Sequence, residues 1–389
     1  MRMLSLVLTS RTSGLVMAFF LPALAILSGC QTPPKSTTPL EAIRAENEDH
    51  IRRFSDFSFQ KLGSVENTGL QIPVVSPDGT QLLYLRSDAA ALPPLTLLGS
   101  GDPKDTPETG RLSIWRRPVT GSGPGRELSP HRWSHSPTWS HSGTAVVYVT
   151  NTPPSSAIIH TDLVSGRQTV LGVTGMVNCL PRFTPDDRAV LFCAGTDSKG
   201  PFRIYRQSPT DKNPVPVTLP GIDALFPLTI DDGKGVICAR TDGERIRWTD
   251  AHRNGFRDLT GPCGYATRPA MLQTLAGIAE PVAPDRASIA FYDALQNRVC
   301  VYHRAGNILR AHHSDSISAC WLTNKALAMA TGEWLFVVNT ATGMSLQIFN
   351  GEWIPARYVP GSRKLILLGR ETSQRFSIME IRFTDRKAK

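Results

Sequence analysis

Short apolar segments alternate with tight polar turns along most of this chain. Each unit has an apolar strand, a turn rich in proline, aspartate, asparagine or glycine, and a second strand rich in β-branched and aromatic residues. The units are IPVVSPDGTQLLYLRS (72–87), SPTWSHSGTAVVYVTN (136–151), LPRFTPDDRAVLFCAG (180–195), LFPLTIDDGKGVICAR (225–240), EPVAPDRASIAFYD (280–293), SACWLTNKALAMAT (318–331) and ARYVPGSRKLILLG (356–369). This recurrence predicts a β-hairpin in every unit and a repeat architecture.

Further strand-like segments follow most hairpins. A third alternating segment stands at 112–121 and 157–166, and a shorter fourth one at 167–172 and 345–351. Four antiparallel strands in about 40 residues are typical of a propeller blade. We therefore predict an all-β fold, a β-propeller of four-stranded antiparallel blades, with seven blades; six and eight are the alternatives.

The last unit, residues 354–384, ends before a fourth strand. The alternating segment FSFQKLGS (57–64) precedes the first hairpin, so we predict that it completes the last blade and removes an exposed edge. Residues 40–54 contain Ile51 and Phe54 at near-helical spacing, which predicts a short helix before that strand.

The repeated turn resembles a known motif. Val75-Ser76-Pro77-Asp78-Gly79 and Trp139-Ser140-His141-Ser142-Gly143 are similar to the WD-like, TolB-type propeller repeat, and the resemblance covers roughly residues 55–384. It implies the propeller fold and, from the family, a role in protein–protein contacts within envelope complexes. Fold alone does not fix function.

The N-terminus has the pattern of an export signal. Residues 14–27 are apolar, Arg2 and Arg11 precede them, and no acidic residue occurs among the first 30. Leu27-Ser28-Gly29-Cys30 resembles the bacterial lipobox, which implies cleavage before Cys30 and its lipidation. An ordinary cleaved signal or an uncleaved anchor is the alternative.

This pattern divides the chain into a lipoprotein signal peptide (1–29), a lipidated cysteine with a flexible tether and short helix (30–54), and the propeller (55–389). The tether QTPPKSTTP is rich in proline, serine and threonine, and it has little apolar surface to bury. By the same resemblance, Gln31 after the cysteine implies the outer membrane, with the propeller facing the periplasm or, after surface export, the cell exterior.

Charge adds little to this picture. The formal net charge is +9, but lysines and arginines are scattered and no dense basic run is present. We therefore expect no nucleic-acid partner. The oligomeric state is left open.

We found no catalytic motif in the sequence. G-x-S-x-G is absent, and few residues follow the repeats, so we do not expect the α/β-hydrolase domain of prolyl-oligopeptidase-like enzymes. The recurring carboxylates, Asp78, Asp186, Asp187 and Asp285 among them, occupy equivalent turns and are interpreted as turn caps. We predict no catalytic residues and no cofactor.

Histidines are the weakest candidates for chemistry. No metal-binding spacing occurs, and we predict no metal; were ligands gathered from several blades, the nominees would be His131, His135, His141 and His313. Tryptophans in strands are expected between blades, whereas Trp133, in a His-rich loop, is nominated as an exposed contact residue.

Six cysteines remain besides Cys30. Cys179 and Cys193 are equidistant from Asp186 at the centre of their hairpin, so an uninterrupted register places them opposite each other and makes them a disulfide candidate. Buried thiols are an equal alternative for the other four, Cys238, Cys263, Cys300 and Cys320.

The sequence thus favours a non-catalytic, membrane-anchored propeller that binds envelope proteins through its loops or channel mouth and the membrane through its N-terminal lipid. The alternative is a propeller lyase or hydrolase acting on anionic polysaccharide. Three or more histidines or carboxylates at one channel mouth would favour the enzyme.

Overall fold

Seven sheets follow one another along the part of the chain that the structure describes. The computed structural model describes residues 50–67, 71–88, 110–121, 123–230, 235–242, 245–252, 255–259, 263–264, 278–293, 298–303, 308–314 and 318–384. Residues 1–42 lie outside them, and the sheets belong to the unit of residues 43–389. Residues 50–52 are helical, and Ile51 and Phe54 are buried, as predicted.

The first three sheets each contain four consecutive antiparallel strands. Blade 1 has β2 (Val74–Val75), β3 (Gln81–Ser87), β4 (Leu112–Pro118) and β5 (Arg126–Glu127). Blade 2 has β6 (Ser134–Trp139), β7 (Ala145–Thr152), β8 (Ser155–Asp162) and β9 (Gln168–Leu171). Blade 3 has β10 (Val177–Phe183), β11 (Val190–Gly195), β12 (Arg203–Gln207) and β13 (Val215–Pro216).

The next three sheets depart from this plan. Blade 4 has β14 (Ala224–Ile230), β15 (Gly235–Asp242), β16 (Arg245–His252), β17 (Gly255–Asp258) and a fifth strand, β18 (Cys263–Gly264), on β16. Blade 5 has three strands, β20 (Ser288–Asp293), β21 (Arg298–His303) and β22 (Ile308–Ser314). Blade 6 has β23 (Ser318–Trp321), β24 (Ala326–Ala330), β25 (Trp334–Asn339) and β26 (Ser345–Asn350), extended by β19 (Ile278–Glu280), which pairs with β23 in parallel.

Blade 7 joins the two ends of the propeller sequence. Its strands are β27 (Trp353–Val359), β28 (Lys364–Thr372), β29 (Arg375–Phe383) and, outermost, β1 (Phe57–Glu66). The predicted closure by the segment 57–64 is confirmed, because Phe57 pairs with Phe383 and the ladder continues to Glu66 and Arg375.

The fold prediction is confirmed: this is an all-β propeller of antiparallel blades. Within the described residues, six blades carry at least four strands and blade 5 is incomplete. In blade 5 an isolated bridge between Val282 and Ile289 takes the place of the innermost strand. Pro281, the residue before it, has no N–H with which to continue the ladder. The segment before that proline pairs with blade 6 instead, which the repeat pattern did not predict.

The inner-hairpin turns follow the predicted chemistry. Asp78 accepts hydrogen bonds from the Ser76 hydroxyl at 2.5 Å and the Thr80 amide at 3.1 Å, and Asp186 accepts one from the Thr184 hydroxyl at 2.7 Å. The role of these carboxylates as turn caps is confirmed. Gly79 and Gly143 supply the left-handed residue of their turns, with φ of 72° and 73°.

Proline marks a second recurring feature, a bulge in the inner strands of blades 2, 3 and 4. Ser136, Leu180 and Phe226 have φ of 52°, 54° and 53°, and each precedes a proline at which the register skips. A proline cannot donate to the ladder, so the strand bulges there.

The core lies between neighbouring blades. Trp139 of blade 2 donates from Nε1 to the Val74 carbonyl of blade 1 at 3.1 Å, and Trp321 of blade 6 donates to the Pro281 carbonyl at 3.2 Å. Trp248 packs against Phe291 of the next blade with ring centroids 5.7 Å apart. These three tryptophans confirm the predicted packing between blades. In the described residues, no helix is long and apolar enough to cross a membrane.

Candidate functional site

A groove opens between blades 1 and 2. Strands alternate in direction within a blade, so the connection between strands three and four lies on the same side as the inner-hairpin turn. In blade 2 the Leu163 amide donates to the Thr144 carbonyl at 2.9 Å and joins those two turns. We call this side the turn face. The groove has a volume of about 580 Å³ and is lined by Arg116, Arg126, Glu127, Leu128, Ser129, Pro130, Thr161, Asp162, Leu163, Val164, Ser165, Gly166 and Gln168.

One wall of the groove is the turn between β8 and β9. The Asp162 carboxylate accepts hydrogen bonds from the amides of Val164 at 2.9 Å and Ser165 at 2.8 Å, and these bonds hold its pKa below the usual value. Gly166 has a φ of 74°, which favours glycine, and its amide closes the turn on the Asp162 carbonyl. This rigid turn leaves the Val164 side chain 83% exposed.

The opposite wall carries two arginines in an unfavourable arrangement. Arg116 of β4 and Arg126 of β5 are direct cross-strand partners. Like charges directly opposite each other destabilise an antiparallel pair. Within the described residues neither guanidinium has an ion pair, whereas the nearby Glu127 is engaged by Arg111 at 2.5 Å.

The floor between the walls is fixed by one glutamine. The Gln168 amide lies 3.2 Å from the Tyr148 hydroxyl and 3.4 Å from the Leu128 carbonyl, so it ties blade 2 to the end of blade 1. Burial raises the pKa of Tyr148 to about 12, so this hydroxyl stays a neutral hydrogen-bonding group. The groove therefore has rigid walls and two positive charges without an ion pair in the part of the chain that the structure describes.

The nominated histidines do not converge. His135 is buried in β6, where Nε2 contacts the Asn151 side chain at 3.1 Å and Nδ1 contacts the Ser136 hydroxyl at 3.0 Å. His131 precedes β6 and His141 follows it. At about 3.3 Å per residue, some 30 Å of extended chain lies between them. His313 lies in β22, and its side chain is outside the described set.

These positions leave no shared metal site for His131, His135 and His141. Nowhere in the described part of the chain do three or more histidine, cysteine, aspartate or glutamate side chains form a group that could hold a metal ion.

Trp133 is a correction. It was expected to be exposed, but it is 1% exposed and packs between blades 1 and 2. The polar residues around it belong to the entry into β6, and a parallel bridge to Leu112 draws the tryptophan inward. Its burial excludes it as a surface contact.

Cys179 and Cys193 lie directly opposite each other in β10 and β11, as predicted, but the register is not uninterrupted, because it shifts between Cys179 and Arg182. Both side chains are thiols in this structure, and burial together with the Cys179 thiol raises the pKa of Cys193. Opposite residues have Cα atoms about 4.5–5.5 Å apart, a separation a disulfide can span. The bond therefore stays a prediction. Cys238, Cys300 and Cys320 are buried thiols, whereas the Cys263 side chain and the lipidation candidate Cys30 lie outside the described residues.

Comparison with solved structures finds similar chains at low sequence identity. TolB from Acinetobacter baumannii is 19% identical, with a TM-score of 0.44 over 72% of this chain and 66% of that one, just under two thirds of its length. The Cps50 (Swd1) β-propeller domain from Myceliophteria thermophila is 13% identical, with a TM-score of 0.49 over 83% of this chain and 99% of that domain. A prolyl endopeptidase is 12% identical, with a TM-score of 0.47 over 90% of this chain and 57% of that enzyme.

No protein-family model and no curated protein matches the chain. The class of protein is therefore defined by the strand order described above: a β-propeller with a groove between two blades.

Proposed function

We propose that this chain is a non-catalytic, membrane-anchored lipoprotein that serves as a protein-binding platform in the bacterial cell envelope. The observation that carries the proposal is the groove between blades 1 and 2, with Arg116 and Arg126 side by side and without an ion pair among the described residues. Propeller loops and turns are rigidly mounted, which suits them to docking.

The charge of the groove selects the kind of partner. Two adjacent guanidinium groups repel each other, and an acidic side chain placed between them would relieve that repulsion. Val164 adds an exposed apolar contact at the rim. The proposed occupant is therefore a protein segment with acidic residues next to an apolar one.

The anchor part of the proposal rests on the sequence. Leu27-Ser28-Gly29-Cys30 and the tether after it would hold the propeller near a membrane, and Gln31 favours the outer membrane with the propeller facing the periplasm. Acyl chains on one residue supply this attachment without a spanning helix.

A photo-crosslinking amino acid at position 164 tests the groove in cells. We expect one envelope protein to be trapped from position 164 and not from position 215, where Val215 is 61% exposed on the outer strand of blade 3. The trapped protein is then purified and titrated against this chain. Arg126→Glu should weaken binding about tenfold or more, and rising salt should weaken it too.

Arg188→Glu is the matched control, because Arg188 is exposed in the inner-hairpin turn of blade 3, away from the groove. Equal crosslinking from both positions, or equal affinity of the Arg126→Glu and Arg188→Glu variants, would overturn the groove as the docking site. The anchor has its own test: Cys30→Ala should abolish metabolic labelling with a fatty acid and release the protein from membranes, and retained labelling would contradict lipidation at Cys30.

A further inference from the structure

Charged side chains from three different blades meet near the innermost strands. Arg182 lies in β10 of blade 3, Glu280 in β19 and Arg357 in β27 of blade 7. The Arg357 Nη1 atom lies 2.5 Å from the Glu280 Oε1 atom. Arg182 and Arg357 each follow a register shift in the inner strand of their blade, so they take equivalent positions in those strands.

Arg182 completes this group. Burial lowers the pKa of its guanidinium, and the negative charge of Glu280 partly offsets that effect, so the two groups are close. Among the described residues Arg182 has no hydrogen bond or salt bridge. A guanidinium has five N–H donors, so this half-buried side chain can bind a further acceptor.

The fit of Arg357 is also incomplete. Its Nε atom is buried and has no hydrogen-bond partner within the described residues, although Nη1 engages Glu280. Cys320 of β23 forms an apolar neighbour: burial, and then the charge of Glu280, raise the pKa of its thiol to about 12. The group therefore has two cations, one anion and, on Arg357, a buried donor without a partner among the described residues.

We propose that Arg182 and Arg357 form a binding site for a carboxylate, with Glu280 as the resident counter-ion. Two guanidiniums and one carboxylate leave a single positive charge, which a monoanion neutralises and a phosphate dianion would overshoot. The planar fork of arginine matches a carboxylate with paired hydrogen bonds. The carboxylate belongs either to a small molecule or to a peptide.

This site goes beyond the proposed function, because it lies on inner strands of blades 3 and 7, whereas the groove lies on outer strands of blades 1 and 2. Either can therefore fail without the other.

Isothermal titration of the signal-free chain tests the site. The probes are acetate for a small carboxylate, N-acetyl-trialanine for a peptide carboxylate, its C-terminal amide as the neutral control, and inorganic phosphate. We expect at least one carboxylate probe to bind, with the amide silent and phosphate weaker. Arg182→Met and Arg357→Met should each weaken that binding about tenfold or more, since each removes charged hydrogen bonds.

Two further variants guard against a folding artefact. Glu280→Gln removes the competing anion and should tighten carboxylate binding several-fold, a gain that misfolding cannot produce. Arg188→Met, in the exposed turn of blade 3, should bind as the parent does. The proposal is overturned if neither carboxylate binds, if phosphate binds better than both, or if binding survives both arginine variants.

Discussion

His135 shows how a residue that suggests chemistry can be a core residue. Its ring is fully buried in the inner strand of blade 2. Burial lowers its pKa to about 4, and the hydrogen bond with Asn151 opposes that shift without reversing it. The imidazole is therefore neutral at pH 7 and joins two polar side chains within the sheet.

This burial predicts a pH dependence of stability. The folded-state pKa lies below the ordinary value of 6.5, so folding favours the unprotonated ring, and its contribution is lost as the pH falls from about 6.5 to about 4. From pH 7 to pH 5 the parent should lose about 2 kcal/mol more unfolding free energy than His135→Gln does. Urea denaturation at both pH values measures the difference.

His141→Gln is the control for that experiment, because His141 is exposed on the turn. A His135→Gln variant with the same loss as the parent would show that the buried ring does not titrate with unfolding.

Asp187 joins two blades through one carboxylate. It accepts hydrogen bonds from the amides of His141 at 2.7 Å and Ser142 at 2.8 Å, in the turn of blade 2. Burial raises its pKa, but these bonds outweigh burial and hold the pKa below the usual value of 3.8. The carboxylate therefore stabilises the fold above about pH 4, and that contribution is lost as the pH falls through the lowered pKa.

Asp187→Asn keeps the side-chain shape and tolerates the φ of 57°, but it places an amide against two donors. We expect a loss of about 1–2 kcal/mol of unfolding free energy at pH 7, shrinking below pH 4. Thermal unfolding across that range measures it. His141→Ala removes the ring nitrogen Nδ1, which lies 3.0 Å from Asp187 Oδ1, but leaves both amides in place, so it should cost less. An equal cost would assign the effect to the His141 ring instead.

At the scale of strands and turns, the sequence predicted the features that depend on neighbouring residues. The hairpins and their caps follow from Pro-Asp-Gly and its relatives. In two of these turns, however, the left-handed residue is an arginine and not a glycine: Arg286 after Asp285, and Arg363 two residues after Gly361, with φ of 59° and 51°. Where no single side chain determines the conformation of the turn, its left-handed position shifts by one or two residues.

The groove could not be predicted from the sequence, because its walls come from two blades. Arg116 and Arg126 are neighbours only through the two-residue strand β5, which has no apolar pattern to announce it. The prediction that Trp133 is exposed was wrong for a related reason, because its neighbours in the sequence are polar although the tryptophan itself is buried. Pairing between distant segments, not local composition, determines both the groove and the burial of Trp133.

The junction of blades 7 and 1 depends on one close approach. Gly63 in β1 forms a bridge with Gly121, and a Cβ atom on Gly63 would lie 2.0 Å from the Gly121 carbonyl oxygen. The buried Arg117 side chain donates to the Ser64 carbonyl at 2.8 Å and to the Gly121 carbonyl, so it holds both segments together.

Gly63→Ala should therefore push β1 away from blade 1 and cost about 1–3 kcal/mol of unfolding free energy. Hydrogen exchange should quicken at the amides of β1 and β29 before it does elsewhere. Gly123→Ala is the matched control, because no described atom beyond its chain neighbours lies within 4 Å of an added Cβ. Unchanged exchange in β1 would show that the junction yields without opening.

At the scale of the whole molecule, ring closure depends on the N-terminal part of the propeller. β1 completes blade 7, and Phe54 packs on Phe383 of β29 with ring centroids 5.0 Å apart. Without β1, the nine residues of β29 would become an exposed sheet edge. The same segment connects to the proposed anchor, so attachment to a membrane and closure of the fold depend on adjacent stretches of chain.

Deletion of residues 1–66 should therefore cause self-association and lower the melting temperature, whereas deletion of residues 1–49 should leave both unchanged, because it keeps the buried Ile51 and Phe54 as well as β1. Light scattering and calorimetry measure the two effects. A synthetic peptide of residues 50–66 added to the shorter chain should restore its size and melting temperature by pairing with β29, as a strand added in trans does. If the shorter chain stays dispersed and is as stable as the longer one, the other blades close without β1. If the peptide fails to restore an unstable chain, the loss comes from the missing covalent connection and not from the missing strand.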